Sequence, residues 1–412
     1  MNILFISQYF PPEMGAPSAR VYELSKFWVA QGHQVTVLTG FPNHPTGVVH
    51  QDYKNKYWHL FYRETIEGIN VSRTWLYPAA NKGVVKRCLN YFSFMISAIF
   101  SGIFLLKRYD VLIATSPQLL VGLAGYYIAR LKKTPFVLEI RDLWPESLSA
   151  TDVISENSLF FKILNWIATF LYNKANIIVP VTDSFKSIIE SRNINPKKIY
   201  VIKNGIDVYA FRPSVDGTSI QRKYNPNGNF VISYIGTLGM AHKIDIILEV
   251  AEGLKRDDSI KFLLIGEGAE KERLKKIKER RNLSNVIFID QQPREEIAKF
   301  ISASDVCLVL LRNTSLFKTV IPSKMFEFMA MGKPIILGVD GEARGILNKA
   351  KAGIYIPPED EESLKKAILK LYHNRELCSK FGINGREFVV KNYNREKQAK
   401  YYISVLDKVF LN

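Results

Sequence analysis

Short runs of Ile, Val and Leu, most of them followed by a stretch of helical periodicity, recur along the whole chain and restrict the fold more than any other feature. In the first half they are Asn2–Ser7 then Ala19–Gln31, Gln34–Leu38, Val111–Ala114 then Val121–Leu131, and Phe136–Ile140. Strands that are apolar without alternation are covered on both faces, and intervening helices supply the cover, so the pattern predicts βαβ units in a doubly wound α/β domain. The alternation resumes at Asn176–Val181, Lys198–Lys203, Phe230–Ile235, Ile260–Ile265, Asn285–Asp290, Val306–Leu311, Pro334–Leu337 and Gly353–Ile356. These call for a second sheet of similar size, and 412 residues with 47% hydrophobic composition hold core enough for two. The expected domains are residues 1–200 and 201–390, with a hinge near Ser184–Asn204. Pro213, Gly217, Pro226 and Gly228 mark Phe211–Asn229 as a surface linker. A closing helix over 391–412 is expected to pack back on the first domain through Tyr401, Tyr402 and Val405.

Charge narrows the ligands. With 56 Lys+Arg against 39 Asp+Glu the formal net charge is +17, a field that attracts polyanions. Helix-turn-helix, zinc-finger and RNA-binding aromatic motifs are lacking, so nucleic acid is not expected as a partner. Phosphate-rich small molecules and an anionic membrane surface remain. Cys88, Cys307 and Cys378 form no CxxC and no His/Cys cluster, which fits a reducing cytoplasm and gives no reason to invoke a metal. Met1–Phe5 runs directly into a strand pattern without the regions of a signal peptide, so a cytoplasmic location is expected. Cys88–Leu106 is uncharged over about the length of a bilayer span. Asn90, Ser93, Ser97 and Ser101, and the strand pattern that follows, argue against spanning. A buried helix and an interfacial helix flanked by Lys86, Arg87, Lys107 and Arg108 both stay open.

Four segments could carry chemistry. Gln8–Arg20 follows the first strand and places Gly15 and Ala16 just before a helix, where small residues let backbone amides approach an anion; any strand-to-helix loop also favours small residues. Glu139–Ser147 begins at a strand's carboxyl end, where ligands of open α/β sheets bind. There Arg141 or Asp142 could orient a sugar hydroxyl while Trp144 offers a ring face, or the first two could form a surface pair over a core tryptophan. Tyr234–Gly239, followed by His242 and Lys243, reads as a phosphate loop or as a turn that needs glycine. Most informative is Val320–Pro334, where Pro322, Ser323 and Lys324 open a helix and converge amides, a hydroxyl and an ammonium at one end. Glu327, one turn further in, is placed to accept ribose hydroxyls or to serve as a helix-dipole partner.

Taken in order, the Gly15 loop, Asn204-Gly205-Ile206-Asp207 with Phe211, the Gly236 loop, Leu264–Gly268 and Pro322–Pro334 resemble family 4 retaining glycosyltransferases of the GT-B fold. The opening loop, the Arg-Asp-Leu-Trp-Pro-Glu run and the Pro-Ser-Lys motif look like the WbuB and WcaI type of O-antigen and exopolysaccharide clusters. The resemblance implies two Rossmann-like domains facing across a cleft, the first for the acceptor and the second for a nucleoside diphosphate sugar. Carried over by position, Gly15 and Ala16 would meet the diphosphate or sugar, Gly236 and Thr237 the phosphates, and the turn around Gln292 the base. Pro322, Ser323 and Lys324 would cap the diphosphate and Glu327 would hold the ribose. Two departures stand out. The first acid of the family's Glu-x7-Glu falls on Thr319, and the usual Arg and Lys pair is replaced by Thr237 and His242, with Lys243 one place later. The implied reaction is metal-independent, needs no cofactor, and uses Lys324 and Lys243 to stabilise the leaving diphosphate and Asp142 to orient the acceptor. A UDP-linked donor and a polyprenyl-diphosphate-linked or saccharide acceptor at the inner membrane face are the expected partners. A sugar-nucleotide epimerase or hydrolase and a non-catalytic nucleotide-sugar-binding scaffold are the alternatives.

Overall fold

The computed structural model describes residues 1–80, 83–149, 154–256 and 259–409 and divides into two compact units. The first comprises Met1–Asn204 with Arg395–Asn412 and the second Gly205–Asn394, so both boundaries fall a few residues beyond the expected positions.

In the first unit the elements run β1 Asn2–Ile6, α1 Ala16–Ala30, β2 Gln34–Gly40, α2 Lys54–Tyr57, β3 Phe61–Ile66, β4 Ile69–Thr74 and α3 Val84–Phe100. They continue through β5 Val111–Thr115, α4 Leu119–Lys132, β6 Phe136–Ile140, α5 Glu146–Ser149, α6 Leu159–Lys174, β7 Ile177–Pro180 and α7 Asp183–Glu190. The seven strands lie in the order β3-β4-β2-β1-β5-β6-β7, parallel except for the β3–β4 hairpin. That hairpin was not anticipated. Its strand alternates exposed and half-buried residues, and Glu67 and Gly68 both turn through positive φ, 47° and 80°, as a tight hairpin turn requires.

Alternation along the central strands divides the core. Ile3, Phe5, Val35, Val37, Val111 and Ile113 face α1 and the C-terminal helix, whereas Leu112, Ala114, Phe136 and Leu138 meet α4. Helices α3, α4 and α6 neighbour one another on that second face. Asn90, Ser93, Ser97 and Ser101 recur on one side of α3 and its extension Ser101–Leu105, bonded to the end of β4 and the segment after it: to the Tyr77 carbonyl, the Tyr77 amide, the Trp75 carbonyl and the Thr74 hydroxyl. The polar residues of the ambiguous segment thus fasten it to its own sheet.

The second unit runs α8 Thr218–Tyr224, β8 Phe230–Ile235, α9 Asp245–Gly253, β9 Ile260–Ile265, α10 Lys271–Arg280, β10 Val286–Ile289 and α11 Arg294–Ser302. It closes with β11 Val306–Leu310, α12 Lys324–Ala330, β12 Ile335–Gly338, α13 Glu342–Ala350, β13 Gly353–Tyr355, α14 Glu361–Tyr372 and α15 Arg375–Asn392. Its six strands are all parallel, ordered β10-β9-β8-β11-β12-β13. The chain then returns to the first unit as α16, Arg395–Asp407.

Three expectations are corrected. Asn176–Val181 and Lys198–Lys203 belong with the first sheet rather than the second: the former holds β7, and the latter is no full strand but runs beside β7 through the Ile178–Ile199 bridge and the Tyr200 and Ile202 amides, which donate to the Ile178 and Pro180 carbonyls at 2.9 and 3.0 Å. Phe211–Asn229 is no surface linker: Phe211 and Ile220 are buried in the second unit's core, and α8 packs on α11. Finally, residue 391 belongs to the end of α15, and the returning helix begins at Arg395; of its three expected contacts Tyr402 and Val405 are buried whereas Tyr401 is exposed, and residues 410–412 of the expected helix lie outside the described residues. Helix α16 is held by the buried Arg395–Glu23 pair at 3.0 Å and by the Trp28 indole N–H, which donates to the Ala399 carbonyl at 3.1 Å.

Candidate active site

Strand β8 is buried along its length, and the chain turns at its carboxyl end through Gly236 with φ 140°. A Cβ on Gly266, which follows β9, would lie 1.9 Å from the Gly236 carbonyl oxygen, and one on Gly236 would lie 2.8 Å from Lys324 Nζ. Two glycines therefore let the strand ends touch and leave room for one ammonium. Lys324 opens α12, and its Nζ stands 4.0 Å from the centroid of the Tyr234 ring. That nitrogen is occluded and has no hydrogen-bond partner among the described residues. Burial lowers its pKa to about 7, with Glu327 opposing the shift. The ring face eases part of the desolvation that no hydrogen bond relieves.

His242 was expected as a cation for phosphate. The structure corrects this: burial first, then Lys324, hold its pKa at about 3, because a second charge beside that ammonium in an occluded place is disfavoured. The ring is neutral and its buried Nδ1 has no partner among the described residues. Lys243 is exposed on a left-handed backbone, φ 45°. Thr237 is also exposed, and its carbonyl accepts the Tyr234 hydroxyl at 2.9 Å. At the start of α12 the Pro322 and Ser323 carbonyls accept the Met325 and Phe326 amides, each at 3.0 Å, and the Ser323 side chain does not cap the helix. Thr319, which stands where the family's first acid would, donates its hydroxyl to the Leu316 carbonyl at 2.6 Å. Gln292 donates to the Asp290 carbonyl within its own loop at 3.0 Å. Glu327 meets Arg294 at 3.3 Å.

The first unit has its own switch point. Strands β1 and β5 are neighbours whose chains leave toward opposite edges of the sheet, which opens a crevice at their carboxyl ends. Gln8 and Gln118 join there through an amide hydrogen bond of 2.9 Å, and Gln8 donates onward to Asn90. The Ser116 hydroxyl accepts the amides of Arg141 at 2.7 Å and Asp142 at 3.3 Å, which fixes the backbone of the Arg-Asp pair. Burial lowers the Arg141 pKa to about 10, with Glu139 opposing and Arg20 reinforcing, and its Nε and Nη1 have no partner among the described residues. Burial raises the Asp142 carboxyl against the pull of Arg141. The Trp144 ring meets Tyr91 edge-on, centroids 6.5 Å apart. Gly15 caps α1 at φ 127° with no side-chain hydrogen bond, and both it and Ala16 are exposed.

Sequence reasoning missed several members. Tyr234 lay inside an apolar strand run and was taken only as part of it; a hydroxylated ring two residues before the loop glycine was the available signal. Arg294 adjoined the turn expected to meet the base, but nothing local ties it to a glutamate 33 positions away. Glu13 accepts the amides of Asn43 and His44, each at 2.9 Å, and burial still raises its pKa to about 7. Arg20 and Glu139 form a fully buried pair at 2.8 Å, and Arg20 also donates to the carbonyls of Ile202 and Lys203.

Comparison with known proteins agrees with this arrangement. Residues 18–209 match the family described as "Glycosyltransferase Family 4" and residues 216–388 match "Glycosyl transferases group 1", so the two matches take in most of each unit. A relative named for colanic acid biosynthesis, the glycosyl transferase WcaI of Escherichia coli K12, is 23% identical over 416 residues, which covers 98% of this chain and 99% of that one. Sucrose-phosphate synthase from Thermosynechococcus elongatus superposes with a TM-score of 0.79 at 19% identity, covering 100% of this chain and 99% of the other. Anabaena HepE, solved with UDP-glucose, has a TM-score of 0.73 at 15% identity over 99% and 100% of the two chains. The chain belongs to glycosyltransferase family 4 and is a glycosyltransferase of the GT-B fold.

Proposed function

We propose that the protein transfers a sugar, with retention of configuration and without a metal, from a UDP-linked donor to a polyprenyl-diphosphate-linked or saccharide acceptor in surface polysaccharide synthesis. The observation that carries this reading is the Lys324 ammonium, occluded, without a hydrogen-bond partner among the described residues, and directed at the glycine end of β8. A buried cation of this kind is stabilised by an anion, and a diphosphate meets the backbone amides of the Gly236 loop at the same point. The relative named for colanic acid biosynthesis and the UDP-glucose complex of HepE support the acceptor and donor classes.

In this mechanism the bond from the anomeric carbon to the diphosphate lengthens and charge gathers on the leaving oxygens. Lys324, the start of α12 at Pro322 and Ser323, and the Gly236–Thr237 backbone stabilise that charge, with Lys243 adding a more distant cation. The acceptor oxygen attacks from the same face and its proton passes to the departing diphosphate. Asp142 orients the acceptor hydroxyl, Arg141 supports the sugar, and Gly15 and Ala16 offer backbone to the donor. Glu327, shared with Arg294, binds the ribose, and the turn at Gln292 lies along the base. Neutral His242 and Thr319 serve as hydrogen-bonding neighbours. The donor sugar is a deoxy or N-acetylated amino sugar, and the enzyme works at the cytoplasmic face of the membrane as a peripheral protein.

Titration calorimetry with UDP, GDP, ADP and their common sugar conjugates tests this reading. The expected result is selective binding of the uridine ligands, weakened about tenfold or more by Glu327→Ala. Absence of binding by every member would overturn it.

A further inference from the structure

Helices α3, α4 and α6 lie side by side on one face of the first unit's sheet, opposite α1 and α16. Their outward surfaces are apolar. On α3 and its extension Leu89, Phe92, Ile96, Phe100 and Phe104 are exposed, spaced by three or four so that they form one stripe, with Val85 and Leu105 exposed at its two ends. The polar side of the same helix is spent on hydrogen bonds to the end of β4 and the segment after it. Phe104 is 70% exposed and Ile96 62%, values that a helix belonging to a closed core does not show. Next to it, Tyr127 and Leu131 are exposed on α4. On α6, Leu159 and Ile163 are exposed and Trp166 is 68% exposed. Residues 85–105 are long and apolar enough to cross a membrane by length and composition, yet the hydrogen bonds of Asn90, Ser93 and Ser101 tie that helix to the sheet. Spanning would strip those bonds without replacement.

Charge identifies what covers the face. The three helices contain no Asp or Glu and carry six cations, Lys86, Arg87, Arg130, Lys132, Lys162 and Lys174, each in a first or last turn. Lys107, Arg108 and Lys133 follow directly on α3's extension and α4. Apolar helix middles with cationic ends match a bilayer, whose acyl boundary takes the rings while anionic headgroups meet the ammonium and guanidinium groups. A second copy of the chain would set cations against cations.

From this we infer that the joint α3–α4–α6 surface, rather than α3 alone, seats the first unit on an anionic membrane. The inference deepens the proposed function and rests on its placement of the enzyme at a membrane. One consequence is geometric: α3 presents its stripe to lipid while Asn90 on its other side joins the Gln8–Gln118 cluster at the strand ends. A lipid-linked acceptor would then reach the crevice along the helix that anchors the unit.

The test is flotation of the full chain with vesicles of phosphatidylcholine, with and without phosphatidylglycerol, alongside calorimetric UDP binding. The expected result is binding to the anionic vesicles, weakened at about 0.5 M salt. Ile96→Glu on α3 and Trp166→Glu on α6 should each lower partitioning about tenfold or more. Tyr401→Glu, an exposed ring on the opposite face, should leave it unchanged, and all three variants should bind UDP as the parent does. Loss with Ile96→Glu but not with Trp166→Glu would overturn the joint surface, as would self-association in solution abolished by these changes without any vesicle binding. Failure of all vesicle binding with UDP binding intact would sink the docking face alone. Vesicle binding in a protein that binds no nucleotide would instead sink the transferase reading.

Discussion

The two units solve the same topological problem with different materials. At the switch point of the second unit the site is made of backbone: Gly236 and Gly266 press together closely enough that a Cβ would reach 1.9 Å from a carbonyl oxygen, and a single ammonium stands in the space they leave. At the switch point of the first unit it is made of side chains, the Gln8–Gln118–Asn90 amides and the Arg141–Asp142 pair hung on Ser116. On the proposed function, backbone and a fixed cation read what all nucleoside diphosphate donors share. Side-chain amides and rings can be exchanged without refolding the loop, and so suit an acceptor that differs from one polysaccharide to another. The difference implies that the second unit tolerates almost no change at its strand ends, and the first unit much more.

The largest expected effect follows from the single cation. Lys324→Ala should lower kcat/KM by about a thousandfold, the range seen when one preorganised charge or donor is removed from a developing anion. Circular dichroism should change little and the melting temperature should not fall, because burial makes the charged form of Lys324 a cost to the free fold. Near-normal turnover would break the contrast between the units at its centre.

A second prediction compares glycine with glycine. Gly266 has φ 148° and its Cβ would meet the Gly236 backbone, so Gly266→Ala should destabilise by about 3 kcal/mol or more and reduce donor binding. Gly15 has φ 127° but only Pro17 Cδ at 3.7 Å, so Gly15→Ala should cost about 1–2 kcal/mol of conformational strain. Denaturant titration of the two variants checks the order. Equal losses would mean that close backbone approach is no special property of the second unit.

How far the sequence foretells this depends on whether the cause is local. Largely apolar runs such as Phe230–Ile235 and Val306–Leu310 announced buried parallel strands, because a strand covered on both faces has no reason to alternate. The β3–β4 edge hairpin went unseen, since half-exposed alternation in Phe61–Ile66 resembles a charged loop. Phe211–Asn229 misled for the opposite reason: its prolines and glycines suggest a linker, while Phe211 and Ile220, with Val215 and Tyr224 beside them, belong to a core whose other members are distant in sequence. The site divides in the same way. Loop glycines and the Pro-Ser-Lys start were legible because their spacing follows the chain. The Tyr234 ring beneath Lys324, the Arg294–Glu327 pair and the neutral state of His242 were not, because each depends on an element far away in sequence.

The smallest effect, and the one that most sharpens the comparison, is in the pH dependence of donor binding. In the free enzyme burial sets the Lys324 pKa at about 7, well below that of an ordinary lysine. A diphosphate beside the ammonium stabilises its charged form, so the pKa rises on binding. Below about pH 7 the group is charged in both states and contributes no pH dependence to affinity. Above it, binding must take up a proton, so the affinity for a UDP-sugar should fall by up to tenfold per pH unit, until the pKa of the complex is reached. A UDP-sugar is the proper ligand, since its diphosphate is esterified at both ends and keeps its charge over this range. The same linkage makes the unliganded fold more stable as pH rises from about 7 toward the ordinary lysine pKa, because the unfolded chain there binds the extra proton. Stability and affinity should therefore move in opposite directions over one pH window. Lys324→Arg, whose guanidinium stays charged throughout, should flatten the affinity profile while retaining binding. Arg141 in the first unit is also depressed by burial, but only to about 10, so it stays charged over the lower part of this window and adds no slope there. If Lys324→Arg kept the parent's slope, the titrating group would lie elsewhere, and the second unit's claim to a single poised cation would fall with it.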